Sequence, residues 1–327
     1  MGKAAALILL GLLAALGAPP AGFAQGDAFN EANTRGARLR LGGDLPGALR
    51  EFNRVIELAP DSPIGWYNRG LVRRDQRDCR SAIEDFSTAL QRDPRFFGAW
   101  YHRGNCRQSL GELGAAMADY SRAIELPGRV DGRFLAYLAR GDAARRSGEP
   151  ERALADYTRV AELRTDTAVL HSRAWVNLYL GRWKPAFDDA ARFLRDGEGK
   201  EPGSPYAALV AYIALRRVGE RAKADAFLDE WSKRFDPKAW PAPVWRYLRG
   251  ALDGEGLVAA AATAGEQTEA RSYLGVGLLL SGDRGRGVEA LETVLERGDA
   301  RYWEYDLAFY ELKRLGLVSG AIKRSAP

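Results

Sequence analysis

A step of 34 residues, repeated through the first third of the chain, constrains its fold more than any other feature. Small residues recur at this step as Gly36, Gly70 and Gly104. Alanine and aromatic residues follow at fixed offsets, as Ala48, Ala82 and Ala116 and then as Phe52, Phe86 and Tyr120. A fixed period of this length indicates one supersecondary unit that buries its apolar face only by stacking on its neighbours.

These offsets match the tetratricopeptide repeat (TPR), in which each repeat is a pair of antiparallel helices. We number each repeat so that its first small residue, such as Gly70, is position 8, which puts the alanine at position 20 and the aromatic residue at 24. Positions 8 and 20 are small because the two helices cross closely there. The sequence therefore predicts an all-α fold, a TPR helix-turn-helix solenoid forming a right-handed superhelix with a C-terminal capping helix.

The repeat signature divides the chain into segments. Five regular TPR repeats occupy residues 27–196, and a turn-rich linker follows at 197–205. A divergent TPR-like half over 206–316 is expected to include helices at Leu257–Ala264 and Arg271–Ser281 and a capping helix at Trp303–Leu315. The tail at 317–327 is predicted to be flexible.

The first 24 residues have the pattern of a secretory signal peptide. Lys3 precedes the apolar run Ala4–Leu16, and Gly22 and Ala24 are small residues suited to cleavage after Ala24. The run is too short to span a membrane. We therefore expect a protein that is exported to the periplasm, soluble and without a membrane span, with an uncleaved anchor as the alternative.

The charge pattern argues against nucleic-acid binding. Lys and Arg number 48 against 43 Asp and Glu, a formal net charge of +5, but the signs alternate along the helices and form no basic run. We expect the partners to be other proteins or peptides, and no nucleic acid.

Motifs for catalysis, cofactors and metals are absent from the sequence. The two histidines lie far apart, and no zinc-protease, phosphate-loop or nucleophile-elbow motif occurs. We therefore expect no catalytic residue, no cofactor and no metal site, and no cluster of titratable groups. The alternative, an all-α enzyme or ligand-binding protein with a pocket between the two halves, requires such a cluster.

The groove of a TPR solenoid is lined by the first helix of each repeat, chiefly at positions 2, 5, 6, 9, 12 and 13. Aromatic side chains beside hydrogen-bonding groups and arginines are typical of protein-binding surfaces. The predicted partner-binding residues are Tyr67, Asn68, Leu71, Tyr101, His102, Asn105, His171, Trp175 and Tyr206. Some of these side chains are expected to pack against neighbouring helices instead.

Two charged positions of the repeat occur together. Position 7 is arginine in the first five repeats, and position 23 is acidic in the same five. The arginines are Arg35, Arg69, Arg103, Arg140 and Arg173, and the acids are Glu51, Asp85, Asp119, Asp156 and Asp189. Since a guanidinium beside a helix crossing would be partly desolvated, we interpret these residues as structural ion pairs and not as ligand-binding groups.

The only two cysteines, Cys79 and Cys106, fall on neighbouring antiparallel helices at nearly the same level. Cα atoms within roughly 4.4–6.8 Å can be bridged. In an oxidising compartment we therefore expect a disulfide between them.

The divergent half resembles the second half of the new lipoprotein I family, through segments that include Pro205-Tyr-Ala-Ala-Leu209, Tyr247-Leu-Arg-Gly250 and Tyr273-Leu-Gly275. The resemblance implies a periplasmic TPR adaptor for cell-wall hydrolases or a processing protease, and it leaves a homodimer open. The family carries a lipidated cysteine after its signal peptide. This chain has Gln25 there, so we expect it not to be lipidated.

Overall fold

The computed structural model describes residues 23–126, 130–163, 167–320 and residue 322. Residues 1–22 of the expected signal peptide lie outside the described residues, as do residues 321 and 323–327 of the expected tail. The regular secondary structure of the described ranges is α-helical, as the repeat pattern predicts. The chain divides into two compact units, an N-terminal unit that ends at Cys106 and a C-terminal unit that begins at Arg107.

The helices of the N-terminal unit form the regular pairs that the 34-residue step predicts. They are α1 (Phe23–Leu41), α2 (Leu45–Leu58), α3 (Pro63–Asp75), α4 (Cys79–Arg92) and α5 (Phe97–Ser109), whose last three residues belong to the other unit. A methyl group added to Gly70 of α3 would lie 2.8 Å from the Phe86 ring of α4. Glycine is therefore needed at position 8, because the aromatic residue at position 24 fills the space that a side chain would take.

Each repeat turns between its two helices through one residue with a left-handed backbone at position 15. This residue is glycine in six repeats: Gly43, Gly111, Gly148, Gly181, Gly219 and Gly282. In the second repeat it is Arg77, with φ of 64°. Glycine adopts this conformation without steric cost. The aspartates that follow, Asp44 and Asp78, cap α2 and α4 by accepting backbone N–H bonds of 2.8 and 3.1 Å.

The C-terminal unit continues the pairs and then departs from them. Its helices are α6 (Leu113–Glu125), α7 (Val130–Arg146), α8 (Pro150–Leu163), α9 (Thr167–Tyr179), α10 (Trp183–Asp196), α11 (Ser204–Arg217), α12 (Arg221–Ser232), α13 (Ala242–Leu248), α14 (Gly254–Ala259), α15 (Ala264–Ser281), α16 (Arg284–Arg297) and α17 (Trp303–Arg314).

The prediction of one helix in the divergent half is wrong. The segment expected to form a helix at Leu257–Ala264 is interrupted, because α14 ends at Ala259 and α15 already begins at Ala264. Thr263 and Glu266 form a capping box, in which each side chain accepts the backbone N–H of the other residue. This cap begins α15 about two turns before Arg271, the expected start of the helix.

The last helix, α17, packs against the final pair, α15 and α16, as the expected capping helix should. It also packs against α9, which precedes it by more than a hundred residues. The residues Glu304 to Leu312 are all buried, so α17 is enclosed on every side instead of covering one face.

Candidate functional site

In the C-terminal unit, the side chains that the sequence assigns to a partner-binding groove lie against α17. The ring of Trp303, the first residue of α17, lies 5.9 Å from Trp175 and 6.2 Å from His171. Tyr310, two turns further along α17, stacks on Tyr179 with centroids 5.3 Å apart. The Tyr179 hydroxyl also donates to the backbone oxygen of Trp303 at 2.8 Å. The inner face of α9 is therefore occupied by a helix of the same chain.

Two arginines fix the acidic side chains of α17. Arg145 of α7 lies 2.8 Å from Asp306, and the two side chains are 10% and 1% exposed. The same guanidinium lies over the Trp303 ring, 3.8 Å from its centroid. The guanidinium of Arg217, on α11, likewise donates a hydrogen bond to the carboxylate of Glu311. Cation–π contact and a charge-assisted hydrogen bond thus converge on one arginine, which binds an aromatic and an acidic residue together.

Three of the predicted partner-binding residues make contacts within the chain. Trp175 is 1% exposed, and its indole N–H donates to His171. Burial lowers the pKa of His171 to about 4, so this ring is neutral at physiological pH. The Tyr206 hydroxyl is hydrogen-bonded to Glu269. Trp175 is thus buried, whereas His171 and Tyr206 are half-buried against α17 and α15.

A cluster of titratable groups, which the sequence did not lead us to expect, joins α15 to α17. The buried carboxyl groups of Glu269 and Glu304 are close enough to influence each other, and burial followed by this repulsion raises the pKa of Glu304 to about 8. Trp240 donates to Glu269 at 2.6 Å, and Tyr273 donates to Glu304 at 2.9 Å. Both carboxyl groups are buried and accept hydrogen bonds from protein donors, so the cluster joins the two helices.

One signal in the sequence could have indicated this burial. The segment from Trp303 to Leu312 is aromatic or apolar on every face apart from its three acids. A helix of that kind is typical of a fully buried element, and its acids then need partners.

In the N-terminal unit, the predicted groove residues fall into two groups. Tyr67 packs between Phe86 and Phe96, with ring centroids 5.9 and 4.5 Å away, and burial raises its pKa to about 12. Leu71 is likewise buried in this apolar cluster. Asn68, Tyr101 and Asn105 are half-buried. Tyr67 and Leu71 thus build the wall of the groove, whereas the second group keeps surface that a partner can reach.

A polar chain crosses this groove from α1 to α5. Arg40 donates to Asp75 at 2.6 Å, Arg74 lies 2.8 Å from the same carboxylate, and Arg74 also donates to the ring of His102 at 2.7 Å. Burial, with the two arginines, lowers the pKa of His102 to about 3. Asn68 donates to Asn33 at 2.8 Å. Polar side chains of three helices are therefore held in fixed positions along one face.

The arginines at position 7 lie beside the acids at position 23 within four repeats. The nitrogen–oxygen distances are 2.7 Å for Arg35–Glu51, 2.7 Å for Arg69–Asp85, 2.7 Å for Arg140–Asp156 and 2.6 Å for Arg173–Asp189. The two remaining predicted residues belong to different units: Arg103 to the N-terminal unit and Asp119 to the C-terminal unit. Arg103 donates to Ser87, and Asp119 pairs with Arg107. In the last three of the four pairs the arginine reaches its aspartate through two nitrogens, the arrangement that orients a guanidinium most firmly.

Cys79 and Cys106 are both free cysteines in the structure, and the disulfide expected from the sequence stays a prediction. The two thiols are nevertheless neighbours, and burial together with a hydrogen bond to Cys79 raises the pKa of Cys106 well above its usual range. A thiol that resists deprotonation is a poor nucleophile, which disfavours its oxidation.

Among the described residues, no group of three or more metal-ligating side chains is positioned to hold an ion. None of the described helices combines the length and apolar character needed to cross a membrane.

Comparison with known proteins agrees with this architecture. The tetratricopeptide-repeat family model matches residues 67–129, and no curated protein matches the chain. Among solved structures, the chain is similar to that of Pseudomonas aeruginosa pilF, with a TM-score of 0.55 and 14% identity over 70% of this chain and 100% of that one. It is similar to YrrB, described as a TPR protein with an unusual peptide-binding site, with a TM-score of 0.52 and 19% identity over 62% and 98%.

A TPR protein from Parabacteroides merdae aligns over 88% of this chain and 99% of its own, with a TM-score of 0.51 and 15% identity. At such identities these likenesses show the fold alone. The chain is a helical solenoid that carries tetratricopeptide repeats.

Proposed function

We propose that this chain is a non-enzymatic TPR adaptor that binds protein or peptide partners of the bacterial cell envelope in the groove of its N-terminal unit. The observation that carries the proposal is the position of α17 in the C-terminal unit. There, a helix rich in aromatic and acidic residues lies against the first helices of successive repeats, held by Trp175, Tyr179 and Arg145. The N-terminal unit presents the same side-chain types on its own first helices, with Tyr101, Asn68 and Arg74 half-buried.

The envelope location is supported by the N-terminal sequence pattern and by the resemblance of the divergent half to the new lipoprotein I family. By that resemblance the partners are cell-wall hydrolases or a processing protease and the protein is periplasmic, and a homodimer is left open. The chain departs from the family at Gln25, where the family has its lipidated cysteine, so the proposed adaptor is not lipidated. The described peptide-binding site of YrrB, a protein of the same fold, is compatible with peptide binding here.

An enzymatic function has one structural feature in its favour, the cluster of Glu269 and Glu304. Both carboxyl groups are buried and are hydrogen-bonded to protein donors, so a substrate could reach them only after α17 moved. We therefore favour the adaptor.

The proposal is tested by site-specific photo-crosslinking in cells, followed by mass spectrometry of the captured proteins. A crosslinking residue at Tyr101, in the groove, should capture specific envelope proteins. The same residue at Arg54, an exposed position on α2 outside the groove, serves as the control. Tyr67 is unsuitable for substitution because it packs into the apolar cluster, so its loss would disturb the fold.

Equal capture at Tyr101 and Arg54, or no protein captured at either position, would contradict groove binding. Fractionation of the same cells tests the location independently, since an adaptor of the envelope should be released with the periplasmic contents.

A further inference from the structure

The same residue type, arginine, occurs at position 12 of repeats in both units. This position is arginine in four repeats: Arg40, Arg74, Arg145 and Arg216. In the C-terminal unit, Arg145 shows what a position-12 arginine can bind. It pairs with Asp306 at 2.8 Å and covers the Trp303 ring at 3.8 Å. Since residues three apart share a face of a helix, one arginine contacts both side chains.

The equivalent arginines of the N-terminal unit retain binding capacity. Arg40 and Arg74 are 19% and 27% exposed, against 10% for Arg145. Arg40 donates to Asp75 through its Nε atom, which leaves its two amino groups without a protein partner among the described residues. A guanidinium has five N–H donors in a planar fork that matches a carboxylate.

The charge around these arginines favours an anion. Arg40 and Arg74 share the single carboxylate of Asp75, whose pKa falls because the hydrogen bonds from both arginines outweigh its burial. Three titratable groups that interact with these arginines are uncharged at neutral pH, because burial keeps the Tyr67 phenol and the Cys106 thiol protonated and the His102 ring neutral. Two cations against one anion leave a positive excess, which an incoming carboxylate would balance.

We propose that the N-terminal groove recognises a helical segment of a partner protein in which an acidic residue follows an aromatic residue by three positions. This inference rests on the proposed adaptor function and specifies its ligand. The acid pairs with the free amino groups of Arg40, and the aromatic ring covers the same guanidinium. The segment Trp303–Asp306 of α17 is the template, bound in this way by Arg145 in the other unit.

The experiment measures binding of a fluorescent peptide with the sequence Tyr302–Arg314, capped at both ends, to the full chain by fluorescence anisotropy. The wild-type chain should bind it. A peptide carrying Asp306→Asn, and separately one carrying Trp303→Ala, should bind about tenfold more weakly, which is the effect of losing about 1.4 kcal/mol of binding free energy. Higher salt should weaken binding of the wild-type peptide.

Arg40→Gln in the full chain should weaken binding of the wild-type peptide about tenfold, and the matched control Arg54→Gln, at an exposed site outside the groove, should leave it unchanged. Circular dichroism of each variant verifies that it is folded. If folding of Arg40→Gln is impaired, protection of Arg40 from chemical modification by bound peptide replaces the variant.

Equal affinity of the wild-type chain and Arg40→Gln would overturn the inference, as would equal affinity for the wild-type and Asp306→Asn peptides. Concentration-dependent self-association that Arg40→Gln abolishes would identify a second copy as the occupant and overturn the partner class. If the wild-type peptide did not bind the wild-type chain, the proposed ligand, an aromatic residue followed by an acid three positions later, would be rejected. Capture of partners at Tyr101 would still support the adaptor function, so the two proposals can fail separately.

Discussion

Removing the acid of an ion pair between positions 7 and 23 should destabilise the N-terminal unit by an amount that burial determines. Asp85 is 2% exposed and pairs with Arg69, which is 17% exposed, and with Arg73 at 2.9 Å. In Asp85→Asn, two half-buried guanidinium groups lose the buried counter-charge that they share. Because an uncompensated buried charge is costly, we expect the free energy of unfolding to fall by roughly 3–5 kcal/mol.

The same unit contains a matched exposed pair. Glu51 and Arg35 are 18% and 41% exposed at a separation of 2.7 Å. Water screens this pair, so Glu51→Gln should lower the free energy of unfolding by less than about 1 kcal/mol.

Urea denaturation followed by far-UV circular dichroism measures both effects, and hydrogen exchange of the amides of α1 to α4 locates them. Both substitutions lie in the N-terminal unit, so a difference between them cannot come from different units. A loss below about 1 kcal/mol for Asp85→Asn would refute the assignment of Arg69 as a structural residue. An equal loss for the two variants would refute the argument from burial.

Three further measurements test other parts of the structure. Glu304 has a pKa raised from 4.5 to about 8, so its protonated form stabilises the fold fully below pH 4.5, and this stability is lost as the pH rises through 8. The melting temperature should therefore fall over that range, and Glu304→Gln should flatten the profile; an unchanged slope would argue against the shift. Alkylation of the native chain without reductant should modify half-buried Cys79 before buried Cys106, and both after denaturation, whereas an intact mass that shows a disulfide would establish the pairing that the sequence predicts. Gly70→Ala should lower the free energy of unfolding by roughly 1–3 kcal/mol, since its methyl group would lie 2.8 Å from Phe86; a more stable variant would show that the helices can separate at little cost.

Much of the N-terminal site could be predicted from the sequence, because position within a repeat determines which face of a helix a residue occupies. Asn68 and Tyr101 lie on the predicted face, half-buried. Repeat position does not determine how deeply a side chain is covered. Tyr67 and His102 have the same kind of placement as these two, yet neighbouring aromatic rings enclose them.

The C-terminal site could not be predicted in this way. His171 and Trp175 have the repeat positions of groove residues, but the element that covers them, α17, is more than a hundred residues away in sequence. Arg145 and Asp306, which form an ion pair, are also more than a hundred residues apart in sequence. The 34-residue repeat predicts contacts within a repeat and between neighbouring repeats, so it does not indicate contacts over such a distance in sequence.

The helix pairs follow from the amino-acid sequence alone. Gly70 and Phe86 are complementary in size because every repeat crosses at the same point, and the left-handed turns follow from glycine at position 15. These are contacts within one repeat, so a short stretch of chain contains both partners. The position of α17, and the acids that become buried with it, depend instead on tertiary packing. Its position against α9 depends on how the intervening helix pairs stack, and Glu269 and Glu304 become close only when α15 and α17 meet.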